Sequence, residues 1–122
     1  MNVFISQPMR DRDDVDILDE RHRIIEWLKQ KYPEEDIHIL DSFIVDAPKR
    51  ATPLGWLGRS LEILSQADMA IFAPEALATR GCLLEHLACE YYDIDHIHTI
   101  SDESGGFVEL EEINIKQYTK GA

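Results

Sequence analysis

Glu85 is the side chain whose type and position point most directly to chemistry. It lies four residues after Gly81, at the predicted start of a helix, where partial positive charge favours an ionised carboxylate. Such a group attacks an electrophilic carbon or stabilises a developing cation, the two duties that glycosidic cleavage asks of a carboxylate. Simple complementation of the helix dipole is the structural alternative, since acidic first turns are common. Arg10, Arg12, Lys49, Arg50 and Arg80 are the basic residues expected nearby. One or two would suit a phosphate-bearing ligand, together with backbone amides and Ser6 or Ser42. Asp13, Asp14 and Asp16 already occupy the preceding helix start, so Arg10 and Arg12 equally serve to offset those acids. Arg80 is the preferred ligand contact. An exposed ion pair, worth ~0–1 kcal/mol, is its structural alternative.

Other combinations are weaker. His96 and His98 alternate on a predicted strand and share one side, with His38 placed to face them from another strand. Two histidines with no evident third ligand make a poor zinc set, and His86 with Glu90 is not a His-Glu-x-x-His pair. Satisfied or surface histidines are therefore expected, with no metal and no cofactor. Asp11, Asp13, Asp14 and Asp16 lack the central glycine and terminal glutamate of a calcium loop. No phosphate-cradling glycine loop is present, and nothing local pairs a Ser or Cys nucleophile with a histidine. Asp68 reads as a turn residue bonding backbone. Ser60 reads as a ligand contact if its helix lines a crevice, and otherwise as an ordinary small helix residue.

These residues need a frame. Val3-Phe4-Ile5, Ile37 to Leu40, Met69 to Ala73 and His96 to Ile100 are short apolar runs that predict strands. Between the first two, Val15, Leu18, His22, Ile25 and Leu28 recur at helical spacing, and Pro33 ends the segment. Thr52 as cap and Pro53 as first residue open a second helix, with Leu54, Leu57, Leu61 and Leu64 as its expected buried face. Gly55 and Gly58 weaken that helix and allow either close packing or approach to its backbone. A third helix follows Gly81, with Leu84, Leu87, Ala88 and Tyr91 on one face. Phe107 to Ile115 fits either a short helix or an edge strand.

Strands alternating with crossover helices predict a three-layer, flavodoxin- or Rossmann-like α/β fold. The expected sheet is parallel, of four to five strands in the order 2-1-3-4(-5), and residues 1–122 form a single domain. The sheet's switch point then lies between the first and third strands, so the loops Ser6 to Asp13 and Pro74 to Gly81 meet there. The chain has 122 residues, 44% apolar, enough for one core. Its net charge of −12, from 24 acids against 12 bases, repels polyphosphate backbones and argues against a nucleic-acid partner. No apolar run approaches the roughly 20 residues of a membrane span. A strand directly at the amino end, with no basic leader, predicts a cytoplasmic protein. Cys82 and Cys89, seven apart, are expected as buried free thiols.

Leu61 to Asp68, an apolar strand, and then Arg80-Gly81-Cys82-Leu83-Leu84-Glu85 resemble the nucleoside 2-deoxyribosyltransferase superfamily, which includes deoxynucleoside 5′-monophosphate N-glycosidases. Val3 to Met9 look like the first strand and loop of its small members. The similarity spans roughly residues 3–100. It implies that Glu85 is the nucleophile and that Ser6, Gln7, Pro8, Met9 and Arg10 contact the sugar or base of a nucleoside or nucleotide. Ser60, Arg80 and Gly81 complete the expected substrate contacts, in a homodimer or larger homo-oligomer. Enzymes of that superfamily carry a tyrosine in the first strand, matched here to Val3, and an aspartate matched to Ser60. A binding module of the same fold that cleaves nothing is the rival expectation.

Overall fold

The computed structural model describes residues 1–41, 52–110 and 113. Alternation along β1 (Asn2–Ser6) decides how the sheet is faced. Val3 and Ile5 point into one apolar cluster with Ile24 and Leu28 of α1 (Asp14–Lys31). Phe4 points the other way, toward Leu64 of α2 (Pro53–Leu64) and Cys82 and Cys89 of α3 (Arg80–Tyr91). The period of two thus gives three layers, with α1 on one face and α2 and α3 on the other.

β2 (His38–Leu40), β1, β3 (Met69–Phe72) and β4 (Asp95–Ser101) are parallel neighbours, and β5 (Phe107–Leu110) completes the order β2-β1-β3-β4-β5. The expected order holds, but the sheet is not wholly parallel: β5 runs antiparallel to β4. The connection explains this. Asp102 Oδ1 accepts hydrogen bonds from the Ser104 and Gly106 amides, and Gly105 adopts φ +83°, closing a turn too short for a parallel crossover. The edge-strand alternative therefore describes Phe107 to Leu110. Among the residues beyond Leu110 only Ile113 is described.

Three helix faces differ from the expected stripes. In α1 the buried residues are Ile17, Arg21, Ile24 and Leu28, while Val15 is 76% exposed and Leu18 and His22 also face outward. Arg21 disguises the stripe. Its apolar stem packs inward while Nη2 donates to the Leu40 carbonyl at 3.1 Å, and burial lowers its pKa against the opposing pull of Asp41. In α2 Thr52 caps the Gly55 amide at 2.9 Å as expected, but only Leu64 is fully buried and Leu54 is exposed. In α3 the buried face is Cys82, Glu85, His86 and Cys89, with Leu84 and Tyr91 exposed. Polar residues take the inner positions there, and that inversion puts chemistry at the sheet.

Candidate functional site

β1 and β3 lie side by side, yet their continuing chains diverge to helices on opposite faces, α1 and α3. A crevice at their carboxyl ends follows from this topology. It is a cleft of about 640 Å³, floored by Phe4 and Glu85 and walled by Trp56, Leu57 and Ser60 of α2. Gln7, Pro8, Met9 and Arg10 from the β1 loop close one side, and Thr79, Arg80 and Gly81 at the start of α3 close another. A second depression shares Pro8, Arg10, Ala78 and Thr79 with it and extends toward Glu20 and Ser101. Of the site residues expected from sequence, Gln7, Pro8, Met9, Arg10, Ser60, Arg80, Gly81 and Glu85 line the cleft. Ser6 acts from beneath, its Oγ donating to Glu85 Oε1 at 2.9 Å. Ser42, Lys49 and Arg50 lie outside the described residues.

Glu85 is 6% exposed, and burial pushes its pKa up from 4.5 to about 7, against the opposing effect of the Ser6 hydrogen bond. Glu85 is the sixth residue of α3, past the turn where the helix dipole acts strongly, so desolvation decides its protonation. Burial likewise raises the Cys82 thiol to about 11 and Cys89 to about 12, keeping both protonated and weakly nucleophilic. Both cysteines are free and buried.

The loop after β1 is held by its own polar contacts. Gln7 Nε2 donates to the Ile17 carbonyl at 2.7 Å and to Glu20 Oε1 at 3.0 Å. Arg12 Nη1 donates to the Pro8 carbonyl and to Glu20, so Arg12 positions the loop rather than facing ligand. Gln7 Oε1 is buried with no hydrogen-bond partner among the described residues. Leaving such an acceptor unpaired costs about 1–3 kcal/mol, which a ligand N–H or O–H would recover. Among the described residues, Arg10, exposed beside Asp11 at 3.9 Å, and Arg80, also exposed, are the cations at the cleft's rim. Gly81 has open space where a Cβ would stand.

Several residues of the cleft carry no signal in the sequence. Phe4 and Trp56 read as ordinary apolar positions, and only their convergence makes an aromatic-lined wall. Val3, the position matched to the superfamily's tyrosine, lies on the opposite face with α1, and the β1 aromatic in the cleft is Phe4. Asp68 Oδ2 accepts from the Asn2 amide at 2.7 Å, the backbone-bonding role expected of it, though across to the start of β1.

The one histidine cluster among the described residues joins His86 of α3 with His96 and His98 of β4. Burial lowers the pKa of His86, and burial with its two histidine neighbours takes His98 down to about 3, so both rings are neutral. The third partner comes from α3, not from His38, which is exposed on β2 at the far side of the sheet. No helix among the described residues is long and apolar enough to cross a membrane. No family model, curated protein or solved structure matches the chain.

Proposed function

We propose that this chain hydrolyses or transfers at the N-glycosidic bond of a (deoxy)nucleoside or nucleoside 5′-monophosphate, with Glu85 as the attacking carboxylate. The observation that carries the proposal is a buried carboxyl, hydrogen-bonded by Ser6, on the floor of a cleft at the switch point of the sheet. In that role a Glu85 oxygen bonds to the anomeric carbon as the base departs with the glycosidic electron pair. Water or an acceptor base then releases the sugar. Ser6 fixes one carboxylate oxygen throughout. Phe4 and Trp56 offer flat apolar faces for base or sugar, and Arg10 and Arg80 stand where a 5′-phosphate would lie. The orphan Gln7 acceptor suits a sugar hydroxyl or an exocyclic amine.

A second reading, a module that binds such a ligand without cleaving it, is favoured by the same carboxyl. With a pKa of about 7, Glu85 is half protonated at neutral pH, and the protonated form donates a hydrogen bond instead of attacking. The serine and valine, Ser60 and Val3, matched to the superfamily's aspartate and tyrosine point the same way.

Released base, measured by chromatography over a panel of nucleosides and 5′-monophosphates, separates the readings. Base release that falls at least ~10²-fold in Glu85→Gln, with the variant still folded, is the expected result. Ligands that raise Tm without releasing base support the module. Absence of both overturns the two together.

The proposal extends to a cytoplasmic homodimer that does not bind nucleic acid. Ile100 and Val108, paired across β4 and β5, and Leu110 are exposed apolar residues on this edge hairpin, an apolar surface suited to a second copy.

A further inference from the structure

The outer part of α3 and the start of β4 hold a group of side chains that the cleft does not use. His96 and His98 lie two residues apart on β4 and so share its α3-facing side, and His86 descends onto them from the helix. One nitrogen from each ring can be chosen so that all three lie within 4.8 Å of one another. Phe72 backs the group, its ring stacked on His98 at 4.3 Å and edge-on to the other two. Glu90, one turn beyond His86, brings a carboxylate oxygen to 3.1 Å from His96 Nε2 and 3.7 Å from His86 Nε2.

The hydrogen bonding leaves this arrangement short of a cation. His96 Nδ1 lies 2.9 Å from the Ile94 carbonyl, an acceptor only, so the tautomer with its proton on Nδ1 satisfies that contact and turns the Nε2 lone pair outward. That lone pair meets the Glu90 carboxylate, another acceptor, at 3.1 Å. Two acceptors at this distance repel unless a positive charge lies between them. The His86 and His98 rings meet nitrogen to nitrogen at 2.8 Å, sharing a single proton. A backbone carbonyl that fixes one imidazole tautomer is the usual outer partner of a metal-bound histidine.

We propose that His86, His96 and His98 form a binding site for a divalent cation of the zinc type, with Glu90 as the fourth donor on the solvent side. Zinc takes imidazole nitrogens at about 2.0–2.1 Å in a tetrahedron, which sets its ligands about 3.3 Å apart. The separation of His96 Nε2 from the Glu90 carboxylate oxygen already meets that spacing. His86 Nδ1 and His98 Nε2 need to part by about half an ångström, and the proton between them moves to the other nitrogen of the donor ring as the cation takes its place, so both rings stay neutral. Three neutral imidazoles and one carboxylate leave the occupied site with a single net positive charge, and half-exposed Glu90 gives the ion a path in. The bound cation clasps the carboxyl half of α3 to β4. The site stands apart from the Glu85 cleft, and neither proposal depends on the other.

The test is titration of tag-free, chelator-stripped protein with Zn²⁺ alone by calorimetry, and with Co²⁺ followed in the visible region. One equivalent is expected to bind, with the d–d bands of tetrahedral Co²⁺ and a rise in Tm on adding Zn²⁺. His96→Gln is expected to weaken binding at least about tenfold and to remove the Tm rise, with circular dichroism reporting its fold. Glu90→Gln, at a half-exposed position, is expected to weaken it about tenfold, with circular dichroism again reporting its fold. Failure of the unaltered protein to take up Zn²⁺ overturns the proposal. Unchanged affinity in a folded His96→Gln or in Glu90→Gln overturns it as well, because the ion is then held elsewhere.

Discussion

Glu85 shows how far a single side chain's surroundings override its intrinsic chemistry. The dipole of α3 favours an ionised carboxylate, but six residues into the helix that field is weak and the loss of hydration is large. The folded chain therefore holds the Glu85 proton more tightly than the unfolded chain, about 7 against 4.5. The sign follows from linkage. The protonated carboxyl is buried without penalty below the unfolded value, and stability is lost as pH rises toward the folded one. Glu85→Gln, which cannot ionise, should gain on the unaltered protein by about 2 kcal/mol between about pH 5.5 and about pH 8. Urea denaturation at the two pH values measures this, and a parallel response of both proteins would contradict it. For base release, an ionised nucleophile predicts a rate that climbs through about pH 7. Ser6→Ala, which removes the donor to Oε1, should move that limb to higher pH.

Helices α1 and α3 reverse the usual logic of amphipathic pattern, each for its own reason. In α1 a buried arginine interrupts an apolar stripe that is otherwise regular from Ile17 to Leu28. The observed facing makes Ile24→Ala cost about 2–5 kcal/mol, through lost contacts and the cavity left behind. Val15→Ala, on an exposed face, should stay within about 0.5 kcal/mol, and thermal melts distinguish the two. In α3 the buried acid and histidine are local violations of patterning, and such violations gather where a protein does chemistry. Gly81 offers a test of that reading. With open space around a new Cβ, Gly81→Ala should stabilise α3 by about 0.5–1 kcal/mol while narrowing the cleft. The expected outcome is a higher Tm with weaker ligand binding. A higher Tm with undiminished binding would mean that the ligand does not approach this turn.

At the scale of the molecule, strand order places the cleft and the antiparallel edge strand sets the outer surface. β5 is fastened to α1 by the Lys31–Glu109 ion pair at 2.6 Å, by Arg23 donating to the Gly105 carbonyl, and by Arg23 over the Phe107 ring. That hairpin turns Ile100, Val108 and Leu110 outward. A homodimer closed over this patch predicts a sedimenting mass twice the 14.1 kDa of the chain, and Val108→Glu should return it to the single-chain mass. A single-chain mass for the unaltered protein at all concentrations would sink the dimer.

Local and periodic features were legible in the sequence because they depend on near neighbours. The four parallel strands, the Thr52–Pro53 helix start, the strand order and the meeting of the β1 and β3 loops all follow from apolar runs, turn residues and the handedness of crossovers. Glu85 was legible through its place after Gly81. Tertiary structure alone decided which face each helix buries, since Arg21, Glu85 and His86 are inside on account of partners 12 to 79 residues away in the chain. The same long-range packing turned Phe4 and Trp56 into cleft walls and set His86 against His96 and His98. Burial, and with it the protonation of Glu85, His86 and His98, is a property of what surrounds a side chain in space, which no spacing along the chain encodes.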